Sequence, residues 1–281
     1  MTENLNSSKL TLVLGGRGKT GRRVAEKLRQ LGHPIRLGSR SVSPGFDWED
    51  ESTWSAVLTD VNSVYLTFQP DAGFPGAAET IGAFAKLAAA RGVKHIVALT
   101  GRGEEGALKS EQAIQDAGVE WTIIRSAFFA QNFSEDFLID AVQSGFVAFP
   151  AGSVREPFID IDDIADIAVA ALTMPGHSGQ LYEVTGPELL TFADAVAEIS
   201  KASGREIRYL PITHQQFETS MVEHGVPEDF ALALSGLFSE VLDGRNAYLG
   251  DGVRRALGRE ARTFAEYARA VAATGAWEAG S

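Results

Sequence analysis

Apolar positions in the first half of the chain alternate between short runs and helical spacing. The run Leu10–Leu14 predicts a buried strand, and Val24, Leu28 and Leu31 share one face of a helix predicted for residues 19–31. Further strands are predicted at 34–37, 46–47, 61–68, 93–99 and 121–124, with helices at 53–58, 74–90 and 109–117. Strands that alternate with helices in this way predict a doubly wound parallel sheet with helices on both faces.

The pattern becomes less regular after residue 133. Helices are predicted at 134–144, 162–174, 191–202, 213–224, 227–242 and 263–273, with short strands at 146–149, 157–161, 181–184 and 207–210. Thr263 and Glu266 have the spacing of a capping box. We therefore expect an α/β sheet domain over residues 1–155. Residues 156–281 are expected to form a smaller, mainly helical substrate-side domain that is partly interleaved with the sheet.

The composition excludes several classes of protein. The chain has 281 residues, of which 44% are hydrophobic, and it contains no cysteine. A disordered chain, disulfides, thiolate metal sites and cysteine nucleophiles are therefore excluded. Because 37 acidic residues outnumber 25 Lys and Arg residues and give a net charge of −12, we expect no nucleic-acid partner. The apolar runs are too short for a membrane span and the first nine residues are polar, so we expect no membrane partner and a cytoplasmic location.

Four acidic residues cluster at Asp160, Asp162, Asp163 and Asp166, but we predict no metal site there. They fall where a predicted strand ends and a helix begins, and acidic side chains are favourable at a helix N-terminus. The five histidines also show no pairing at metal-ligand spacing. The metal prediction is therefore none.

The strongest motif is a glycine-rich loop between the first predicted strand and the first predicted helix. It contains G-x-G-x-x-G in the context typical of a dinucleotide-binding loop, where the helix N-terminus presents free N–H groups to a pyrophosphate. We therefore predict a Rossmann-type fold; the alternative is a tight turn without a ligand. A Walker A loop is excluded because position 13 is Val13 rather than glycine. The cofactor-binding candidates in this loop are Gly15, Gly16, Arg17, Gly18, Lys19, Thr20 and Gly21.

The end of the second predicted strand indicates which dinucleotide is bound. NAD-binding chains usually carry an acidic residue there for the ribose 2′-hydroxyl, whereas this chain has Ser39 and Arg40. A hydroxyl and a guanidinium suit the 2′-phosphate of NADP(H), and Arg17 is a second candidate for that phosphate. Arg40 would otherwise be a solvated loop charge. Asp47 is interpreted either as a contact to the adenine or as a plain turn residue.

The local charge supports the same cofactor. Residues 1–45 contain nine basic and two acidic residues, although the whole chain is acidic. Part of this excess is solvated helix surface. The basic segment nevertheless contains both the glycine loop and the end of the second predicted strand, where a phosphorylated dinucleotide would lie.

The Tyr-x-x-x-Lys pair of many short-chain dehydrogenases is absent. In that pair the lysine lowers the pKa of the tyrosine for proton transfer. Near the expected nicotinamide end, the remaining catalytic candidates are Thr100, which follows a strand, and Lys109, which opens the next predicted helix. Thr100 is also a candidate for binding the carboxamide of the cofactor, and Lys109 is either a proton donor or a solvated charge. The residues four positions after the five tyrosines are Gln69, Gly186, Thr213, Gly252 and Val271.

An aromatic segment follows the predicted strand at 121–124. Phe128, Phe129 and Phe133, together with Asn132, could line a substrate pocket beside the nicotinamide or could belong to the core. Phe68 ends the predicted strand at 61–68 and is expected to flank the cofactor.

A set of motifs extends along nearly the whole chain. They are Gly-Gly-Arg-Gly-Lys-Thr at 15–20, Ser39-Arg40-Ser41, Phe46-Asp47-Trp48, Trp121-Thr122-Ile123-Ile124-Arg125, Gln131-Asn132-Phe133, Pro157-Phe158-Ile159-Asp160 and Gly225-Val226-Pro227. These motifs resemble the NmrA-like family of atypical short-chain dehydrogenases/reductases, and within it most of all the ergot-alkaloid reductases of the agroclavine and festuclavine dehydrogenase type. The resemblance implies NADP(H) as the cofactor and, as in the ergot-alkaloid reductases, reduction of a cyclic iminium with little acid–base help. Other members of the family sense NADP(H) without turnover.

Two functions follow from these observations. The first is an NADPH-dependent reductase for a small apolar electrophile, either an imine or iminium or a conjugated carbonyl, in which hydride is transferred without a Tyr–Lys pair. The alternative is a non-catalytic NADP(H)-binding redox sensor that acts on a partner protein. The expected partner of the reductase is a small-molecule substrate, and a homodimer is one assembly that this interpretation allows.

Overall fold

The computed structural model describes residues 10–278 and contains a six-stranded parallel sheet. In this range the strands are β1 (Leu10–Leu14), β2 (Ile35–Gly38), β3 (Val61–Leu66), β4 (His95–Gly101), β5 (Glu120–Ser126), β6 (Phe146–Phe149), β7 (Arg155–Glu156), β8 (Gln180–Val184), β9 (Leu190–Thr191) and β10 (Arg208–Pro211). The sheet has the order β2-β1-β3-β4-β5-β8, while β6 pairs with β10 and β7 with β9. The doubly wound Rossmann-type fold is therefore confirmed.

The helices lie on both faces of the sheet and at its carboxyl end. They are α1 (Lys19–Gln30), α2 (Trp54–Val57), α3 (Ala77–Ala90), α4 (Glu105–Gln115), α5 (Asn132–Glu135), α6 (Ile139–Ser144), α7 (Ile161–Thr173), α8 (Phe192–Ser203), α9 (His214–Glu223), α10 (Glu228–Val241), α11 (Gly252–Leu257) and α12 (Phe264–Ala272). Within residues 10–278, no helix has the length and apolar character needed to cross a membrane.

Each face of the sheet is covered by its own apolar layer. One layer contains the buried Phe84 of α3 and Trp54 of α2, packed against Leu12 and Val64 of the sheet. The opposite layer is formed by α1, α7 and α11, whose apolar stripes bury residues such as Leu28 and Ile164. Burial on both faces explains why the strands appear in the sequence as continuous apolar runs rather than alternating ones.

A third, mainly aromatic core lies at the carboxyl end of the sheet. It is built from α5, α6, α8, α10, α12 and β6, with Phe133, Phe149, Phe192 and Trp277 fully buried. The predicted boundary at residue 155 stays a prediction. Although they follow this boundary, α7 and β8 pack with the sheet, and β8 is its sixth strand.

Several predicted elements differ from the structure. No sheet strand forms at 46–47, because Phe46 packs into the core while Asp47 makes only an isolated bridge to Asp50. The predicted helix at 134–144 is two helices, α5 and α6, interrupted at the extended residue Asp136. In place of the strand at 157–161 there is a single bridge between Phe129 and Ile159.

Two interpretations of polar residues are confirmed. Thr263 and Glu266 form the predicted capping box at the start of α12. Asp160 caps α7 by accepting a hydrogen bond from the N–H of Asp162 at 2.9 Å. Asp163 and Asp166 of the same cluster are instead paired with arginines, which are Arg259 and Arg262.

The chain beyond α12 closes the third core through Trp277. Its indole is fully buried, and Nε1 donates to the carbonyl oxygen of Phe133 at 2.8 Å. We expect Trp277→Ala to lower the free energy of unfolding by about 3–5 kcal/mol, because it leaves a large cavity and an unpaired carbonyl. Denaturant unfolding measures this loss.

The matched control for Trp277 is Phe146, whose residue surface is 59% exposed. We expect Phe146→Ala to change the free energy of unfolding by no more than about 0.5 kcal/mol, as is usual for surface positions. Equal effects of the two substitutions would contradict the assigned role of Trp277.

Candidate active site

The glycine loop brings the start of α1 against the end of β1. Gly15 has a φ of +62°, which favours glycine, and a Cβ at this position would clash with Oγ1 of Thr67 on the neighbouring loop. A Cβ at Gly21 would clash with the carbonyl of Gly15 and lie 3.1 Å from Cα of Gly16. Gly15 and Gly21 therefore permit close packing of helix and strand as well as access for a ligand.

The N-terminus of α1 is available to an anion. Its N-cap residue, Gly18, provides no side-chain cap, and the first turn contains no acidic residue. The loop lies at the switch point of the sheet, because the chain passes from β1 to β2 on one side and then to β3 on the other. Such a crevice is where open α/β sheets bind their ligands, and a helix N-terminus stabilises a phosphate there.

A cavity of about 620 Å³ runs from this loop across the carboxyl ends of β3, β4 and β5. This volume lies in the range of small-molecule and cofactor sites. The cofactor-binding candidates Gly15, Gly18, Lys19, Thr20, Phe68 and Thr100 line it, whereas Gly16, Arg17, Gly21, Ser39, Arg40 and Asp47 do not.

The structure distinguishes Arg17 and Arg40 from most other basic residues near the loop. Both are exposed, and neither forms an ion pair with any residue between 10 and 278. Lys19, Arg22, Arg23 and Lys27 are instead paired with acidic residues of α5, of α7 and of the segment after α5. Two guanidinium groups therefore remain uncompensated in the loops that follow β1 and β2.

Asp47 is placed as a turn residue. Its carboxylate accepts a hydrogen bond from the N–H of Glu49 at 3.1 Å, and its carbonyl accepts one from Nε1 of Trp54 at 2.7 Å. Ser39 contacts the hydroxyl of Ser41 at 3.3 Å. These contacts favour the turn interpretation of Asp47 over an adenine contact.

The aromatic segment divides between cavity and core. Phe128, Phe129 and Asn132 line the cavity, but Phe133 does not, because its ring is fully buried in the third core. The assignment of Phe133 to the substrate pocket is thus corrected to a core position. Lys19 fixes Asn132 by donating to its Oδ1 at 2.7 Å.

The two catalytic candidates occupy different surroundings. Thr100 is buried at the cavity wall, where its hydroxyl donates to Oε1 of Glu111 at 2.8 Å, so its proton is directed away from a substrate. Lys109 lies inside α4 rather than at its start, because α4 begins four residues earlier at Glu105. Its side chain is exposed and does not line the cavity, so the proton-donor role of Lys109 is replaced by that of a solvated charge.

Two buried carboxyl groups line the cavity, and the sequence interpretation included neither. Glu104 follows β4 in the segment Gly101–Glu104, and burial together with the negative charge of Asp71 raises its pKa to about 10. Glu156 of β7 lies near Arg102, and burial raises its pKa to about 7 although Arg102 opposes the shift. The sequence signal that could have indicated Glu104 is its position as an acidic residue shortly after a predicted strand.

The side of the cavity opposite the sheet is apolar. It is covered by α10, whose Phe230, Leu234, Leu237 and Phe238 line the cavity. The Phe230 ring lies 6.2 Å from that of Phe74, centroid to centroid. The site therefore combines the glycine loop at one end with buried carboxyl groups and an aromatic chamber at the other. The chamber is lined by Phe74, Phe128, Phe129, Phe230 and Phe238.

Comparison with known proteins identifies the family. The sequence model of the NmrA-like family matches residues 108–268. The NAD(P)H azoreductase of Xenophilus azovorans is 33% identical over 286 residues, which cover 94% of this chain and 98% of the relative. The chain belongs to the NmrA-like family. Agroclavine dehydrogenase of Claviceps fusiformis, another relative, is 32% identical, and the match covers 91% of this chain and 95% of the relative.

Solved structures show the same fold. An NADPH-dependent quinone oxidoreductase of Escherichia coli in complex with NADPH superposes with a TM-score of 0.78 at 19% identity, covering 93% of this chain and 99% of that one. The triphenylmethane reductase of a Citrobacter species, in complex with NADP(H), superposes with a TM-score of 0.74 at 20% identity, covering 94% and 100%. The family model and the sequence relatives confirm the predicted resemblance to the NmrA-like family.

The raised pKa of Glu104 predicts how stability depends on pH. The folded state keeps the proton of Glu104 up to a pKa of about 10, whereas an exposed glutamate releases it near its ordinary pKa of 4.5. Between pH 4.5 and about 10, the unfolded chain therefore binds fewer protons than the folded protein. Through Glu104, the free energy of unfolding falls as pH rises across this range. Glu104→Gln removes this contribution. We expect the difference in free energy of unfolding between the Glu104→Gln variant and the parent protein to shift in favour of the variant from pH 5 to pH 9.

Denaturant unfolding at several pH values measures this trend. The control is Glu105→Gln, which changes the exposed neighbouring residue at the start of α4. A constant stability difference between the Glu104→Gln and parent proteins across this range would mean that Glu104 is ionised in the fold.

Proposed function

We propose that the protein is an NADPH-dependent reductase of a small apolar electrophile and that it works without a Tyr–Lys pair. The observation that carries this proposal is the continuous cavity that joins the glycine loop to an aromatic chamber. When bound, NADPH supplies the hydride. The names of the relatives, which include an azoreductase and a clavine dehydrogenase, support reduction as the reaction class.

The residues around the loop fit a phosphorylated dinucleotide. We assign the pyrophosphate to the uncapped start of α1, where the helix begins at Lys19. Arg17 and Arg40, which carry no compensating acid among residues 10–278, are the groups that we assign to the 2′-phosphate, with Ser39 beside Arg40. Thr100 and Phe68 lie along the cavity wall where the rest of the cofactor would extend.

The other end of the cavity suits a small apolar acceptor. Phe128, Phe129 and the apolar residues of α10 exclude water and hold a flat molecule over the carboxyl ends of β4 and β5. The acceptors that we propose are imines or iminium ions and conjugated carbonyls. In each, a carbon made electrophilic by an adjacent heteroatom or its conjugated bond receives the hydride.

Arg40→Asp tests the choice of cofactor. We expect KM for NADPH to rise about 10- to 100-fold, because one charge-assisted contact is lost and a repulsive carboxylate replaces it. KM for NADH should stay constant or fall, since the 2′-hydroxyl can donate to the new carboxylate. Initial rates with both cofactors measure the change.

Arg29→Asp is the matched control for Arg40→Asp. Arg29 is also exposed and lies in the last turn of α1, at the end of the helix away from the glycine loop. The same change of charge there should alter KM for either cofactor less than about threefold, because exposed charges beyond a Debye length are screened. A similar loss of NADPH affinity in both variants would remove the specific role of Arg40.

An NADPH-consumption screen separates the reductase from the sensor. We expect the protein to oxidise NADPH in the presence of at least one iminium ion, conjugated carbonyl, quinone or azo compound at rates well above background. If none of these acceptors is reduced, while NADPH and NADP⁺ bind and produce different conformations by small-angle scattering, the sensor function is the correct one.

A further inference from the structure

Glu104 occupies a cradle made by two glycines. Its carboxyl group lies where Cβ atoms at Gly101 and Gly73 would be, so both positions must lack a side chain for the carboxyl to enter. Gly101 ends β4, and Gly73 lies in the loop between β3 and α3, so the carboxyl is enclosed between the end of one strand and the loop that follows its neighbour. The residue is 93% buried yet belongs to the cavity wall beside Thr100.

The carboxyl of Glu104 is paired with another acid rather than with a base. It shares a hydrogen bond with the side chain of Asp71, which also lines the cavity. Asp71 is itself fixed by the N–H of Gly73, which donates to its Oδ1 at 2.7 Å. One oxygen of Glu104, Oε2, is buried and has no donor partner among residues 10–278. The adjacent negative charge of Asp71 keeps the proton on Glu104, because two adjacent negative charges would repel each other strongly.

The surrounding charges leave that proton on the pair. Glu240 of α10 and Glu111 of α4 are also near Glu104 and add negative charge. Both have their own arginine partners, Arg245 for Glu240 and Arg125 for Glu111. The basic groups nearby are thus committed to other carboxylates.

We propose that Glu104, held by Asp71 and by the Gly73–Gly101 cradle, is the proton donor of this active site. This role rests on the proposed reductase function. The pair lies at the carboxyl ends of β3 and β4, on the chamber side of the cavity rather than at the glycine loop. In a Rossmann-type sheet this is the side on which the reactive end of the dinucleotide extends.

The proton balances the hydride for a neutral acceptor. In a conjugated carbonyl, the hydride forms a C–H bond at the β-carbon, the carbon–carbon double bond shifts, and the carbonyl oxygen takes the proton from Glu104 to give the enol. The acceptor gains two electrons and NADPH loses them, and the Glu104 carboxylate regains its proton from solvent. An N-alkylated iminium ion instead becomes a neutral amine on receiving the hydride alone, so it needs no proton.

Glu104→Gln tests the role with these two acceptors. The amide keeps the shape and can still hydrogen bond to Asp71, but it has no transferable proton. We expect kcat for an enone to fall about 100-fold or more, which is the usual contribution of a positioned acid. For an N-alkyl iminium ion, kcat should stay within about threefold of the parent value, and KM for NADPH should be unchanged with both acceptors.

Gly101→Ala provides a second variant that leaves Glu104 in the sequence. Its Cβ occupies the position of the carboxyl and displaces it from the cradle, so the same selective loss with the enone is expected. Glu105→Gln, on the exposed surface next to Glu104, is the control and should change neither rate.

The outcomes distinguish this role from the reductase function itself. Unchanged enone reduction in Glu104→Gln and Gly101→Ala, or an equal loss with both acceptors, would overturn the proton-donor role while leaving the reductase function intact. A parent protein that reduces neither acceptor would overturn the proposed function and, with it, this role.

Discussion

The close approach of α1 to the end of β1 is the contact on which the site depends. Gly15, with its positive φ, and Gly21, which packs on the carbonyl of Gly15, allow the helix to start directly at the sheet edge. Any side chain at Gly21 would push the helix away by the width of a methyl group, and its free N–H groups would no longer point into the switch-point crevice. The proposed cofactor binding and the packing of α1 on the sheet therefore depend on the same glycines.

A second constraint holds the aromatic core against this loop. Lys19 and Arg23 of α1 reach Asn132 and Glu135 of α5, so the basic face of the helix binds the segment that starts the third core. The cavity lies between the glycine loop with α1 and the third core. Its width therefore depends on these polar contacts as well as on the sheet. The same pairing compensates much of the basic charge near the loop, whereas Arg17 and Arg40 form no ion pair with any residue between 10 and 278.

The sequence predicted the sheet, the loop and most helices because each has a local signal. Continuous apolar runs identify strands buried on both faces, and Thr263 with Glu266 identifies a helix start. The signal fails where tertiary contacts decide. Phe133 belongs to the core and Phe128 to the cavity, although both are aromatic residues of one segment. Glu104 and Asp71 are 33 positions apart in the sequence, and no local pattern shows that the sheet brings their carboxyl groups together.

The buried acid pair also bears on which acceptor the site favours. The negative charge of Asp71 lies beside the protonated Glu104. Beside an iminium ion this charge stabilises the ground state, but its attraction weakens as hydride neutralises the cation, so it stabilises the transition state less. With a conjugated carbonyl, negative charge develops on the oxygen, and the proton of Glu104 moves towards it. A donor with a raised pKa suits a basic enolate oxygen, whereas an ordinary glutamate would already have lost its proton at neutral pH. With Glu104 as the proposed proton donor, the cradle at Gly73 and Gly101 suits neutral conjugated acceptors, which need this proton, better than pre-formed cations, which do not.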